Sequence, residues 1–266
     1  MPVAILNDCF VEIIIEDSQH GVFFMSEPSA SPTQGEEVLT PESRFHFACH
    51  ADLPCFTQCC RDVNIYLTPY DVLRLRRALG MGSREFLEKY THPFLTKVSR
   101  IPVVQLAMDE ESLACKLVSD SGCRVYGDRP WACRLYPLDA GDQEGQYRLF
   151  VGQDRCSGLG EKRSWTVQQW LDNQGVASSV GMEMSFQQVL PPRFQYGPFV
   201  DDRLGQVLFL VFDLDRFARM VEDASFRELF QVDDELLQRL LDDDEALLRY
   251  AFQCIRAQLE VLLEFV

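Results

Sequence analysis

The stretch CRVYGDRPWACRLYP, residues 123–137, combines two cysteines, three arginines and two prolines. Proline fixes its own backbone φ angle and has no backbone N–H to donate, so Pro130 and Pro137 favour an irregular backbone around Cys133. A backbone constrained on both sides of Cys133 directs its thiol inward. We therefore predict that this stretch belongs to a small, irregular domain built around its cysteines.

Two arginines, Arg129 and Arg134, lie close to Cys133 on either side. A guanidinium group can donate hydrogen bonds to the sulfurs of a metal cluster and so help to hold a cofactor. The same side chains can instead form ordinary structural ion pairs, for example with Asp128. We predict Arg129 and Arg134 as cofactor-binding residues, with the ion pair as the alternative.

Eight of the ten cysteines lie between residues 49 and 156, and Cys9 and Cys254 lie outside this segment. In a reducing compartment, clustered cysteines more often hold a metal or do redox chemistry than cross-link the fold. Cys254 falls on the apolar face of a predicted helix and is expected in the core. The predicted metal ligands are Cys49, Cys55, Cys59, Cys60, Cys115, Cys123, Cys133 and Cys156.

Thiolates are soft ligands that select zinc, copper(I) or iron–sulfur clusters, and four of them complete one zinc site or one [4Fe-4S] cluster. Cys59 and Cys60 are adjacent, and adjacent side chains diverge, so both rarely bind one tetrahedral centre. Eight thiols therefore allow two four-ligand sites, or one site with reserve thiols.

Further motifs accompany the cysteines. They are Phe47–Cys49, Cys55, Cys59-Cys60, Leu67–Val72, Cys115, Cys123–Tyr126, Asp128–Pro130, Cys133-Arg134, Tyr136-Pro137 and Cys156. Together they resemble the YkgJ-type cysteine-cluster family, also called the CxxCxxCC zinc- or iron-chelating family, over about residues 45–165. The resemblance implies a metal-chelating domain whose eight cysteines fall on the eight positions above. The family usually reads C-x2-C-x2-CC, whereas this chain has five and three intervening residues.

The net charge of −16 excludes several partners. An acidic surface repels phosphate backbones and anionic lipids, so we expect neither nucleic acid nor a membrane as a partner. No apolar run approaches the ~20 residues that a membrane-spanning helix requires. No Lys or Arg precedes Arg44, so the start lacks the basic segment of a signal peptide. We expect a cytoplasmic protein.

Charge also divides the chain into three predicted parts. Residues 1–40, a β-hairpin (Phe10–Ile15 and Val22–Met25) and a linker, have a net charge of −7. Residues 41–165, the cysteine-cluster metal-binding domain, have +1, and residues 166–266, a mainly helical acidic region, have −10. The predicted fold class is α+β: a small irregular cysteine-rich domain with short strands and helices, followed by a mainly helical C-terminal part.

Local signals support individual elements. Thr68 and Thr166 each precede a helical pattern that they can cap, and Ser225–Glu228 matches a capping box. Val207–Phe212 is a short apolar run, which we interpret as a buried strand with a helix as the alternative.

Three functions remain open at this point. The first is a cytoplasmic metalloprotein that holds an iron–sulfur cluster, [4Fe-4S] in the first instance, or zinc through eight cysteines. The second is a protein-lysine N-methylase of the flagellin-modifying type, which the resemblance includes; against it, no glycine-rich S-adenosylmethionine loop is found, and Gly158–Gly160 is interpreted as a turn. The third is a binding module with a purely structural zinc site, whose acidic helical part docks a protein partner.

Overall fold

A computed structural model describes residues 38–96, 101–141, 143, 145–190 and 202–264. The predicted N-terminal hairpin and Cys9 lie outside the described residues. The described elements are ten helices and several short strands, which confirms the α+β class and the helical C-terminal part. No helix in these ranges is both long enough and apolar enough to span a membrane.

The strands are two to five residues long, and most form two-stranded antiparallel pairs. They are β1 (Arg44–His46), β2 (Tyr66–Leu67), β3 (Thr91–Leu95), β4 (Pro102–Leu106), β5 (Val118–Ser119), β6 (Gly122–Cys123), β7 (Leu138–Ala140), β8 (Tyr147–Leu149) and β9 (Ser164–Thr166). β1 pairs with β9, β5 with β6, and β7 with β8. β4 pairs with β3.

The helices become longer and more frequent after residue 165. They are α1 (Pro69–Leu79), α2 (Ser83–Tyr90), α3 (Trp131–Leu135), α4 (Val167–Asn173), α5 (Ala177–Gln187), α6 (Asp202–Phe209), α7 (Leu214–Glu222), α8 (Ala224–Phe230), α9 (Asp234–Asp242) and α10 (Asp244–Glu264). Short 3-10 turns cover Gln58–Cys60, Tyr126–Asp128 and Ser157–Gly160.

The two threonine caps that the sequence predicts are confirmed. Thr68 Oγ1 accepts from the Asp71 N–H at 3.1 Å, and the Asp71 carboxylate accepts from the Thr68 N–H at 3.1 Å. Thr166 forms the same reciprocal pair with Gln169 at the start of α4. Each arrangement satisfies two backbone donors that would otherwise have no partner at a helix start.

Two other local predictions are wrong. α8 begins at Ala224, and Asp223 is its N-cap, accepting from the Ser225 N–H at 2.8 Å. The helix begins two residues earlier than a Ser225 cap requires, so Ser225 is already helical and its own N–H is one of the capped donors. Val207–Phe212 is not a strand: α6 continues to Phe209 and a turn follows. A short apolar run can be buried as a strand or as a helix, so its hydrophobicity does not distinguish the two.

The chain forms two compact units, and each is discontinuous in sequence. Among the described residues, the cysteine unit comprises 38–67 and 106–181. The helical unit comprises 68–96, 101–105, 182–190 and 202–264. The boundaries predicted from charge at residues 40 and 165 stay a prediction.

The core of the cysteine unit is built on aromatic side chains. Phe47 packs edge-on against Trp170 of α4, with ring centroids 5.1 Å apart. Trp170 Nε1 donates to the Leu135 carbonyl at 3.2 Å, and Trp165 Nε1 donates to the Phe47 carbonyl at 2.9 Å. Each buried aromatic side chain contributes on the order of 2 kcal/mol through apolar burial alone. This core holds β1, β9, α3 and α4 together and includes the buried Cys156.

The helical unit has its own core, centred on Phe217 of α7 and Phe226 of α8, whose rings lie 5.8 Å apart. Ser83, at the start of α2, is fully buried. Its Oγ donates to Asp213 at 2.6 Å, and its backbone N–H donates to Asp215 at 2.7 Å. Cys254 is buried in α10 of this unit, as predicted.

Candidate metal centre

Cys49 and Cys156 come from opposite ends of the cysteine-rich segment, and the backbone segments that carry them lie next to each other. The Ala48 N–H, next to Cys49, donates to the Gly158 carbonyl at 3.1 Å. Gly158 follows Cys156 by two residues. A β-carbon at Gly158 would lie 2.5 Å from the Ala48 carbonyl oxygen, so only glycine permits this approach. The contact places the segments of Cys49 and Cys156 side by side.

Cys55, Cys59 and Cys60 lie on successive tight turns. The Gln58 N–H donates to the Cys55 carbonyl at 3.0 Å, and the Cys60 N–H donates to the Thr57 carbonyl at 3.0 Å. Thr57 has a positive φ of 64°, which reverses the chain within this segment. The Sγ atoms of Cys59 and Cys60 are 3.9 Å apart.

The second sequence cluster joins the first through the backbone. The Cys115 N–H donates to the Cys60 carbonyl at 2.7 Å, and the Asp62 N–H donates to the Leu113 carbonyl at 2.8 Å. Arg61 and Ala114 form an antiparallel bridge between these two hydrogen bonds. Residues 60–62 and 113–115 therefore run alongside each other.

Cys123 lies on the β5–β6 hairpin that follows Cys115. Val118 pairs with Cys123, and the Val118 N–H donates to the Cys115 carbonyl at 2.9 Å. Leu117, which is 1% exposed, anchors the hairpin in the core of the unit. The hairpin thus returns Cys123 toward Cys115.

Cys133 lies in the short helix α3, which Arg134 holds in place. The Arg134 side chain is 6% exposed and donates to three backbone carbonyls: Arg129 at 2.9 Å, Gln174 at 2.7 Å, and Gly127. Charged donors to carbonyl oxygens are among the stronger hydrogen bonds in proteins. Arg134 therefore fixes α3 to the turn that follows Cys123.

Arg129 has a different environment. Its guanidinium lies over the Tyr126 ring, 3.6 Å from the centroid, and its Nη2 donates to the Gln174 side-chain oxygen at 2.6 Å. Its Nε is buried and has no hydrogen-bond partner among the described residues. The positive charge of Arg129 acts to lower the pKa of Cys49 and of Cys59, as the smallest contribution in each case, and burial still raises the pKa of Cys49 overall. Arg129 therefore stabilises thiolates in its vicinity.

We call four of the cysteines the first thiol group: Cys49, Cys55, Cys59 and Cys156. The pKa of Cys49 is raised to about 11, first by burial and then by the charges that Cys59, Cys55 and Cys156 carry as thiolates. Tyr136 hydrogen-bonds to Cys156, and burial together with the same group raises the tyrosine pKa. Cys49 therefore lies within electrostatic reach of the other three thiols.

The other four cysteines form the second thiol group: Cys60, Cys115, Cys123 and Cys133. The pKa of Cys60 is raised, first by its hydrogen bond to Cys59, then by burial and by the charge of Cys59, with smaller contributions from Cys133 and Cys115. Burial raises the pKa of Cys115, and Cys123 adds to the rise. The hydrogen bond from Cys60 lowers the pKa of Cys59 to about 7, so Cys59 ionises first.

The donor set suits a soft metal. All nine cysteines in the described part of the chain are free thiols, and eight of them lie on the cysteine unit. No three His, Cys, Asp or Glu side chains of the described residues are already arranged to hold a metal ion. Binding would therefore require thiol side chains to turn toward a common point. The backbone contacts above already bring their segments together.

The cysteine-rich segment matches the model of a known protein family. Residues 48–158 match the family model described as "CxxCxxCC: Putative zinc- or iron-chelating domain". Residues 48–158 are therefore similar to a CxxCxxCC domain, and we use that name for this segment. No curated protein and no solved structure matches the chain.

The match confirms the family resemblance, and its description supports zinc or iron chelation. All eight cysteines predicted as ligands lie within the CxxCxxCC domain, and all eight are on the cysteine unit. Their role as ligands stays a prediction. So does cofactor binding by the two arginines, of which Arg129 is electrostatically coupled to the first thiol group and Arg134 donates to backbone carbonyls.

The CxxCxxCC domain depends on residues that the sequence did not single out as part of the site. Gly158 is a contact point between two cysteine segments, whereas its sequence indicated only a turn. Trp170 supports both β1 and α3, although it lies outside the matched residues. Gln174 accepts from Arg129 and Arg134, and nothing in the sequence around it indicates this role.

Proposed function

We propose that this protein is a metalloprotein whose CxxCxxCC domain holds an iron–sulfur cluster or zinc through its eight cysteines. One observation carries the proposal: eight free thiols from widely separated parts of the sequence lie on one compact unit, joined by backbone contacts. Free thiols gathered in this way select soft metals such as zinc and iron in clusters. The family description agrees with this donor chemistry.

An iron–sulfur cluster is the first candidate. A bound cluster supplies electron transfer, whereas zinc held by four thiolates supplies folding energy, about 10 kcal/mol or more per structural site. The adjacent pair Cys59 and Cys60 differs from the spaced cysteine pairs that are typical of zinc fingers. This difference favours the cluster.

The residues around the thiols have roles that follow from their contacts. Arg129 places a positive charge within reach of Cys49 and Cys59, which favours the thiolate form that binds metal. Its buried Nε–H is a donor available to a sulfur ligand. Tyr136 contacts Cys156, packs edge-on against Phe47 and restricts access of water to this side of the first thiol group.

Metal content of the purified protein tests the proposal. The full chain is purified without oxygen, and iron, zinc and acid-labile sulfide are measured together with the visible absorption spectrum. We expect iron and sulfide in similar amounts and a broad visible absorption. A colourless protein with stoichiometric zinc supports the zinc form. A protein with neither metal, which also takes up neither on reconstitution, overturns the proposal.

A matched pair of variants connects the metal to the cysteine unit. Cys133→Ser removes a thiol of the second group, and Cys254→Ser removes a buried thiol of the helical unit. We expect lower metal content in the first variant and unchanged content in the second. Equal content in both would contradict the assignment of Cys133.

A further inference from the structure

We propose that Cys59 and Cys60 form a reversible redox site, at which a peroxide converts the two thiols into a disulfide when no metal is bound. The proposed function gives these cysteines a role only as metal ligands. The redox site goes beyond that role, and its effect on metal binding rests on the proposed function.

The two thiols are already in contact. Their Sγ atoms are 3.9 Å apart, and one thiol hydrogen-bonds to the other. In a 3-10 turn, successive side chains are rotated by about 120° around the axis of the turn, so the backbone alone does not bring them together. Here both side chains turn toward each other. The sulfurs need to approach by only about 2 Å to reach bonding distance.

Hydrogen bonds fix the backbone around the pair. The Cys60 N–H donates to the Thr57 carbonyl at 3.0 Å, and the Arg61 N–H donates to the Gln58 carbonyl at 3.2 Å. The Cys60 carbonyl in turn accepts from the Cys115 N–H at 2.7 Å. A fixed backbone keeps the two thiols close together, and proximity of this kind strongly accelerates a reaction between two groups.

Solvent reaches the pair through Cys59. This residue is exposed, whereas Cys60 is half-buried, and both are free thiols. Oxidation of cysteine depends on exposure, so Cys59 is the thiol that a dissolved peroxide meets first. Cys254, by contrast, is buried in the helical unit and is shielded from the same oxidant.

The reaction proceeds in two balanced steps. The Cys59 sulfur attacks one oxygen of hydrogen peroxide, the O–O bond breaks, and Cys59 becomes a sulfenic acid as one water leaves. The Cys60 sulfur then attacks the sulfur of the sulfenic acid, the S–O bond breaks, and the disulfide forms as a second water leaves. The two thiols together lose two electrons, which the peroxide gains, and their protons leave in the two waters.

The disulfide between these residues would be easily reduced. The peptide bond between Cys59 and Cys60 is trans, which places their Cα atoms about 3.8 Å apart. Most disulfides join Cα atoms about 4.4–6.8 Å apart, and bonds outside this range are strained and more readily reduced. The pair therefore suits a reversible site and not a permanent cross-link. Since thiolates are the metal ligands, oxidation also removes two of them from the proposed metal centre.

The test treats the reduced, metal-free full chain with hydrogen peroxide. Remaining thiols are then alkylated in denaturant, and the chain is cleaved after Phe56 and after Arg61. The resulting fragment, Thr57–Arg61, contains Cys59 and Cys60 and no other cysteine. We expect this fragment to be unalkylated and to lack two hydrogen atoms. Reduction before alkylation should return it to the doubly alkylated form.

Two other results for the fragment would overturn the redox site. One is a fragment that is doubly alkylated after peroxide treatment without prior reduction. The other is a fragment joined through Cys59 or Cys60 to a different cysteine. Both results come from the wild-type protein, so they do not depend on how any variant folds.

Variants assign the two steps to the two thiols. Cys60→Ser removes the second thiol, so Cys59 should remain a sulfenic acid that dimedone labels. Cys123→Ser removes a different cysteine of the same unit and is the control, in which the disulfide should form as in the wild type. Absence of dimedone labelling at Cys59 in Cys60→Ser would contradict its role as the attacking thiol.

Zinc uptake distinguishes this inference from the proposed function. We expect the peroxide-treated protein to bind less Zn²⁺ than the reduced protein, and reduction to restore the difference. Unchanged uptake after the disulfide has formed would contradict its effect on metal binding. A reduced protein that takes up no zinc and contains no iron overturns the proposed function, and the fragment result then decides the redox site by itself.

Discussion

The backbone N–H of Cys115 donates to the carbonyl oxygen of Cys60 across 2.7 Å. The two residues belong to different cysteine clusters of the sequence, and this bond is one of the contacts that bring the clusters together. It also places a second-cluster cysteine beside one member of the Cys59–Cys60 pair. Backbone pairing, rather than distance along the chain, therefore determines which cysteine segments are neighbours.

Gly158→Ala tests the contact between the segments of Cys49 and Cys156. The added β-carbon would lie 2.5 Å from the Ala48 carbonyl oxygen, so the two backbone segments must separate. We expect a loss of about 1–3 kcal/mol in the free energy of unfolding, measured by urea denaturation, and reduced metal content.

Gly160→Ala is the matched control, because a β-carbon there meets no atom within 4 Å. We expect the control to match the wild type in both measurements. If Gly158→Ala also matches the wild type, the close approach does not constrain this part of the unit.

Arg134→Leu tests the arginine that supports α3. The variant leaves three carbonyl groups, those of Arg129, Gln174 and Gly127, without this donor. We expect a loss of about 2–4 kcal/mol in the free energy of unfolding, since each unsatisfied buried group costs about 1–3 kcal/mol. Arg148→Leu removes a partly exposed ion pair with Asp139 and should cost about 1 kcal/mol or less. Equal losses in the two variants would contradict the supporting role.

Arg129→Gln tests the positive charge beside the first thiol group. Loss of the guanidinium removes a charge that acts to lower the pKa of Cys49 and Cys59, although burial at Cys49 and the Cys60 hydrogen bond at Cys59 contribute more, and it also removes the buried Nε–H donor. We expect metal affinity, measured by competition with a chelator, to fall by about 10-fold or more. Arg129→Lys should recover part of the affinity. An unchanged affinity in Arg129→Gln would remove Arg129 from the proposed cofactor-binding residues.

Glu183→Gln tests the pH dependence of the helical unit. Burial, and next the charge of Asp71, raises the pKa of Glu183 to about 7 from its ordinary 4.5, while the Thr68 hydroxyl donates to its Oε1 at 2.8 Å. The protonated form is therefore favoured in the folded state. Its contribution to stability is complete below pH 4.5 and is lost as the pH rises through 7.

Glutamine keeps the acceptor oxygen for Thr68 and cannot ionise. We expect the stability of Glu183→Gln relative to wild type to increase by about 2 kcal/mol between pH 4.5 and pH 8, measured by urea denaturation at both values. Glu88→Gln, at an exposed position paired with Arg84, is the control and should follow the wild type. A parallel pH profile for wild type and Glu183→Gln would contradict the raised pKa.

Local chemistry made several elements predictable from sequence. Thr68 and Thr166 lie directly before their helices, and a cap is a contact within four residues, so the sequence contains both partners. The Ser225 cap was wrong because the helix begins at Ala224, where Asp223 caps the Ser225 and Phe226 N–H groups. The candidate ligands were predictable as a set because thiols in a cluster have few other roles.

Which cysteine segments are neighbours was not predictable, because it depends on contacts between residues far apart in the chain. Cys49 lies beside Cys156 because Gly158 lets two backbones approach closely, and Cys133 is positioned by Arg134 through the carbonyl of Gln174. The two residues of such a contact lie far apart in the chain, so no short sequence pattern includes both. The sequence by itself determined the resemblance to the CxxCxxCC family, the donor chemistry and the helix starts at Thr68 and Thr166. Only the tertiary structure decided which cysteine segments are neighbours, because long-range hydrogen bonds and the packing of Phe47 on Trp170 form only when the whole unit folds.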